Sequence, residues 1–165
     1  MGGNALNVQT RRVESSAEFR TLVEEVLHIL TRELGWRAAP VRWYHTKESF
    51  GDMDILVDSD TIGPNWADSV LEKFRPKDHF KNGSCLSFDY KDVQVDLILA
   101  PAKEFEFSYY YFAWNDLGNF VGRTAHRLGF KFGHDGLWYV LRDPKDYSRV
   151  IKAILVTQDF DLAVN

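Results

Sequence analysis

A single cysteine, Cys85, stands among 165 residues, so no internal disulfide can staple this chain and a secreted disulfide scaffold is excluded. Cys85 falls in a strand-like stretch with no accompanying His-Asn arrangement. That reads as a half-buried thiol rather than a nucleophile, and the cytosol is the expected setting. No apolar run reaches the ~20 residues that a membrane helix needs. The opening Met-Gly-Gly-Asn-Ala-Leu6 has neither a charged nor an apolar segment, so no signal peptide is expected. Leu6 stands where a myristoylation motif has Ser or Thr. Positive charge is also scarce: 20 Lys and Arg face 24 Asp and Glu, a net charge of −4. That balance argues against a histone-like grip on DNA. The chain shows no internal repeat, low-complexity tract, collagen period or coiled-coil heptad.

What is present is enough for a core. Apolar residues make up 45% and aromatics 15%, too many for a disordered tail. A chain of this length can bury roughly 70% of the surface its unfolded form exposes, and it is one domain's worth of sequence. Charge is unevenly spread. Residues 1–100 carry 12 basic against 16 acidic side chains, and residues 101–165 carry eight of each. Within 120–152, seven basic residues outnumber three acidic ones. An acidic first half beside a locally basic segment fits a metal site next to a phosphate-binding face, and it equally fits two solvated surfaces.

The periodicity predicts alternating elements. Ser15-Ser16-Ala17-Glu18 reads as a capping box, and Phe19, Leu22, Val23, Val26, Leu27, Leu30 and Leu34 follow at helical spacing to Gly35. His28 falls off that stripe. Strands are expected at 41–45 and 52–57, then a helix from an Asn65 cap to Phe74, stopped by Pro76. Residues 79–90 and 92–99 read as the two arms of a hairpin. After Pro101 an aromatic run over 105–114 precedes a helix at 115–128. A second hairpin turns on Gly133-His-Asp-Gly136, and Ser148 to Val156 reads as a short helix.

Three acids carry the chemistry. Asp52 and Asp54 are two apart on an expected strand, so both carboxylates share one face while Met53 and Ile55 take the other. Asp96 interrupts the apolar strand Val93-Gln-Val-Asp-Leu-Ile-Leu99. A charge there is costly unless it is paired or metal-bound. If the two strands are neighbours, three carboxylates converge, and like charges at close range disfavour ionisation without a cation. Hard divalent ions prefer such oxygen ligands, so Mg²⁺ or Mn²⁺, two ions, is the expected cofactor.

Glu48-Ser-Phe-Gly-Asp-Met-Asp-Ile-Leu-Val57 resembles the active-site strand of DNA polymerase beta and the family X polymerases. Asp96 in its apolar strand resembles that family's third catalytic aspartate. Tyr110-Tyr-Phe-Ala-Trp-Asn-Asp-Leu-Gly-Asn-Phe-Val-Gly-Arg123 is similar to its Tyr-Phe segment and following helix, and Leu128-Gly-Phe-Lys-Phe-Gly133 to its next hairpin. The segments run in family order over about 48–133. The resemblance implies that Asp52 and Asp54 bind both metals, and that Asp96 binds the catalytic one and helps deprotonate an acceptor hydroxyl. It implies that Gly51 lets backbone approach a triphosphate, and that Tyr111 and Phe112 lie against the sugar. Asp116 would pack near the base, Asn119 would reach its edge, and Arg123 would face a templating strand. The chain departs from the family at Val41-Arg42, where a Gly-Ser pair is usual, at His45, where an Arg is usual, and at Ala113-Trp114, where Thr-Gly is usual. Arg42, His45 or Lys47 could bind phosphate instead; Arg42 and His45 read equally as alternate exposed strand positions. The family's N-terminal lyase domain has no counterpart before residue 40.

The expected fold is α+β: a nucleotidyltransferase-like palm over 1–104, with a small mixed sheet packed against helices, then a helix-plus-hairpin lobe over 105–165. The expected activity is transfer of a nucleoside monophosphate from an NTP or dNTP to an acceptor hydroxyl with pyrophosphate release. The acceptor is expected to be a weakly held nucleic-acid 3′ end. Three other readings stay open: a non-catalytic nucleotide- or nucleic-acid-binding module, a small transferase modifying a protein or small molecule, and, more distantly, a glycosyltransferase using Asp-x-Asp. Nothing in the sequence fixes the oligomeric state.

Overall fold

The computed structural model describes residues 5–44, 46–114 and 117–165. Two compact units follow one another, Met1–Pro101 and Ala102–Asn165. The fold is α+β, with a mixed five-stranded sheet packed with helices and a small three-stranded antiparallel sheet.

The described part of the first unit starts with an irregular segment that the rest of the unit pins down. Val13 and Phe50 exchange backbone hydrogen bonds at 2.9 Å, and the Arg11 amide donates to the Asp92 carbonyl at 2.7 Å. Helix α1 (Ser16–His28) starts where Ser15 accepts a hydrogen bond from the Glu18 amide. The expected capping box is half made: the Glu18 carboxylate pairs with Arg11. The helix continues through a π turn at Ile29–Glu33. Strand β1 (Ala38–Pro40) lies earlier than expected, ahead of residues 41–44, which form no strand. Proline at the third position has no amide with which to extend the ladder, and only the Val41 amide continues it, donating to the Asp54 carbonyl.

Next come β2 (Asp52–Asp58), α2 (Trp66–Phe74), β3 (His79–Asn82), β4 (Cys85–Tyr90) and β5 (Val93–Ala100). Asn65 precedes α2 without a side-chain cap. The expected single arm 79–90 is two strands, because the chain reverses at Gly83, where φ is +57°. The order is β1-β2-β5-β4-β3, and the β2–β5 pair is parallel. Side chains alternate. Met53, Ile55, Val57, Leu86, Phe88, Val95 and Leu97 therefore share the face that meets Phe19, Leu22, Val26, Val70 and Phe74 of the helices. Each such fully buried side chain contributes roughly 1.5–3 kcal/mol.

In the second unit, α3 (Ala102–Phe112) and α4 (Leu117–Arg127) precede β6 (Phe130–Gly133), β7 (Gly136–Arg142) and β8 (Val150–Thr157), and α5 (Phe160–Val164) follows. The expected helix at Ser148–Val156 is instead β8, paired antiparallel to β7. Val150, Ile151, Ile154 and Val156 are β-branched and favour a pleated surface. Phe107, Ala125 and Phe132 form the small core of this unit. Among the described residues, no helix is long and apolar enough to cross a membrane.

Candidate metal centre

The register of three strands builds the site. Parallel pairing sets Asp54 opposite Asp96 and Asp52 opposite Gln94. Antiparallel pairing on the other side of β5 sets Ser87 opposite Asp96 and Asp89 opposite Gln94. Two cross-strand rows thus lie on one face: Asp54, Asp96, Ser87, and beside them Asp52, Gln94, Asp89. One carboxylate oxygen from each of Asp52, Asp54 and Asp96 lies within 4.8 Å of the other two, on side chains that are neither fully buried nor fully exposed. The three acids that the sequence singles out are brought together.

Their surroundings differ. Asp96 accepts from Gln94 Nε2 at 3.0 Å to each of its two oxygens, and also from the Ser87 hydroxyl. Gln94 is in turn fixed by the Ala5 amide, which donates to its Oε1 at 3.0 Å. The carboxylates of Asp52 and Asp54 have no hydrogen-bond donor and no ion-pair partner among the described residues. Other acids of the same sheet contrast with them. Buried Asp58 accepts from Arg37 at 3.1 Å and from the Asp60 amide at 3.0 Å. Buried Asp89 accepts from the Asp78 amide at 2.8 Å.

Burial and the neighbouring charges of Asp52 and Asp96 push Asp54 from the ordinary 3.8 to about 7, opposed by Lys47. Burial also raises Asp96, against the lowering effect of Ser87 and Gln94 and with a further push from Asp52. Burial, more than the like charges around it, holds each acid up, and a bound cation would offset both effects. The donor set fits a hard divalent cation: oxygen atoms only, close together. The triad can hold a metal ion, with Asp52, Asp54 and Asp96 as its ligands.

Three neighbours were not anticipated from the sequence. Gln94 is two residues from Asp96, and that even spacing could have placed it on the acid face. Ser87 and Cys85 needed the strand pairing. The Cys85 thiol, half-buried as expected, is pushed up to about 11 by burial and then by Asp96 and Asp54, so it is a poor nucleophile.

The remaining expected residues fall as follows. Gly51 is buried immediately before β2, and Arg42 is exposed on the irregular segment after β1. Lys47 is half-buried, with its ammonium 5.1 Å from the centre of the Phe50 ring. His45 and Asp116 lie outside the described residues. In the second unit Tyr111 packs on Phe132 at 5.7 Å, and Phe112 stacks on His134 at 6.0 Å. Asn119 and Arg123 are exposed on α4 and, with Tyr111, line a cavity of about 440 Å³. Trp114, at the position where the family has Gly, takes a left-handed backbone with φ +60°. No protein-family model and no curated protein matches the chain.

Proposed function

We propose that this protein is a metal-dependent nucleotidyltransferase, which moves a nucleoside monophosphate from an NTP or dNTP to an acceptor hydroxyl and releases pyrophosphate. A nucleic-acid 3′ end is the favoured acceptor. The observation that carries this reading is the meeting of Asp52, Asp54 and Asp96 within 4.8 Å on one sheet face, two of them without a donor among the described residues. The ordered resemblance of residues 48–133 to family X polymerases supports it. A glycosyltransferase reading gives Asp96 no task.

Asp52 and Asp54 would hold two Mg²⁺ or Mn²⁺ ions. Bound there, the metal would supply Lewis-acid stabilisation of the charge that develops on the transferring phosphate and the leaving pyrophosphate. Asp96 would take the proton of the acceptor hydroxyl as that oxygen attacks the α-phosphorus. Gln94 and Ser87 fix its orientation, and its raised proton affinity suits a base. Lys47, whose charge already acts on Asp54, would meet a phosphate there.

The test combines thermal stability with turnover. Mn²⁺ plus NTP should raise the melting temperature of the parent protein, and Asp54→Ala should abolish the rise. Acceptor-dependent pyrophosphate release should fall by at least ~100-fold in the same variant. A parent protein that neither responds to metal nor releases pyrophosphate with any of the four bases would leave the non-catalytic binding module as the better reading. Val41 and Arg42, standing where the family has Gly-Ser, already point that way.

A further inference from the structure

Strand β8 is an edge that the fold leaves unprotected. It pairs with β7 on one side, and among the described residues no strand pairs with the other. An open edge presents unpaired amides and carbonyls, and natural sheets blunt it by short length, charge or proline. The other edges of this molecule follow that rule. Strand β1 is three residues long and ends in Pro40, β3 is four residues long and carries Lys81, and β6 is four residues long. Strand β8 has eight residues, and Lys152 is its single charge.

Its side chains are as open as its backbone. Ile151 is 57%, Ile154 49% and Val156 52% exposed, and every residue from Val150 to Val156 is exposed. Tyr139 and Leu141 on β7, which pair with Ile154 and Lys152, are about half exposed as well. With Leu155 these apolar side chains leave on the order of 600 Å² in water. A patch of that size marks an interaction surface, and it matches the smaller contribution that one partner makes to a specific dimer, roughly 600 Å².

The charges at the two ends of β8 select the occupant. Arg149 and Lys152 stand at its start, and Asp159 and Asp161 stand just past its end, all exposed. Arg149 reaches Asp143 only at 3.8 Å, and one Asp159 oxygen caps α5 through the Leu162 amide. An antiparallel copy of the same strand brings each basic end to the acidic end of the other. Residues opposed across antiparallel strands share a face, so a two-fold axis passes through a residue. An axis at Lys152 would oppose two ammonium groups, which is destabilising. An axis at Ile154 sets Ile154 against its own copy, Ile151 against Thr157, and Arg149 against Asp159.

We infer that the open edge of β8 is a dimer interface, at which two copies of the chain join their small sheets antiparallel about a two-fold axis at Ile154. The inference uses no residue of the metal centre and stands apart from the transferase reading.

The experiment is sedimentation equilibrium of the full chain in EDTA, from micromolar to hundreds of micromolar. The mass should rise from 19.1 kDa toward twice that value. Ile154→Lys places two cations face to face at the axis and should weaken association ~100-fold or more. Phe120→Lys, at an exposed apolar residue of α4, should associate like the parent. Circular dichroism melts check that each variant is folded. Cross-linking tests the register without a disruptive charge. With Cys85 replaced by Ser, Ile154→Cys should give a disulfide-linked dimer under diamide, and Ile151→Cys, opposed by Thr157, should not. A parent that stays monomeric throughout overturns the inference and leaves the edge to a strand of another protein. Association unchanged in Ile154→Lys, or equal cross-linking at 151 and 154, overturns it as well. Asp54→Ala should associate like the parent, so a failed transferase test leaves this result readable on its own.

Discussion

Asp54 concentrates the electrostatic strain of the molecule. Its carboxyl sits at about 7 in the folded chain against an ordinary 3.8. Between those values the folded protein keeps a proton that the unfolded chain has released, so stability falls as pH rises through that window. The contribution is present at low pH and gone above about 7, and it amounts to no more than about 4 kcal/mol. Asp54→Asn removes the titration. In EDTA the variant should therefore melt higher than the parent, by a margin that widens from about pH 4 to about pH 7 and then levels off. A margin that does not change with pH would mean that Asp54 is not held against its charge. Saturating Mn²⁺ should shrink the margin or reverse it, because only the parent retains the full ligand set.

Among the elements, α4 makes the clearest test of packing. Gly118 lies on the helix face that meets Tyr111, and a Cβ built there would overlap the Tyr111 carbonyl oxygen, a backbone atom that cannot swing aside. Gly122, one turn on, would bring its Cβ only to ordinary contact, 3.4 Å from the Phe132 carbonyl oxygen. Alanine in a helix is worth up to about 1 kcal/mol over glycine. Gly122→Ala should then be neutral or mildly stabilising, while Gly118→Ala should lose about 2 kcal/mol or more in urea unfolding. Equal effects at the two positions would refute the close approach. Which elements were legible in the sequence follows the same physics. The helix after Ser15 could be read because its apolar stripe and its cap agree. The acid face could be read because Asp52 and Asp54 share strand parity. The β4–β5 turn could be read from the two flanking apolar arms, although Lys91 and Asp92 take positive φ (50° and 62°) without a glycine to announce it, whereas the reversal at Gly83 that splits the first arm was missed. Strand β8 was misread because Val150 to Val156 admits either period, and only its pairing with β7 decides. The partners of Asp96 were hidden because Ser87 reaches it across a ladder, which no spacing along the chain reveals.

At the scale of the whole molecule, the two units divide the charge. The first carries the acid excess and the metal-ligand triad; the second carries the positive segment at 120–152 and the cationic cavity. If the cation is held by the first unit, its footprint in hydrogen exchange should be confined to that unit. Mn²⁺ should slow exchange across β2, β4 and β5 by about tenfold or more, because it binds the folded register and not the open one. The same metal should leave α4, β6 and β7 at their metal-free rates. Metal protection that spread evenly over both units would show them opening as one cooperative body. Metal protection confined to the second unit would remove Asp52, Asp54 and Asp96 from their role as ligands.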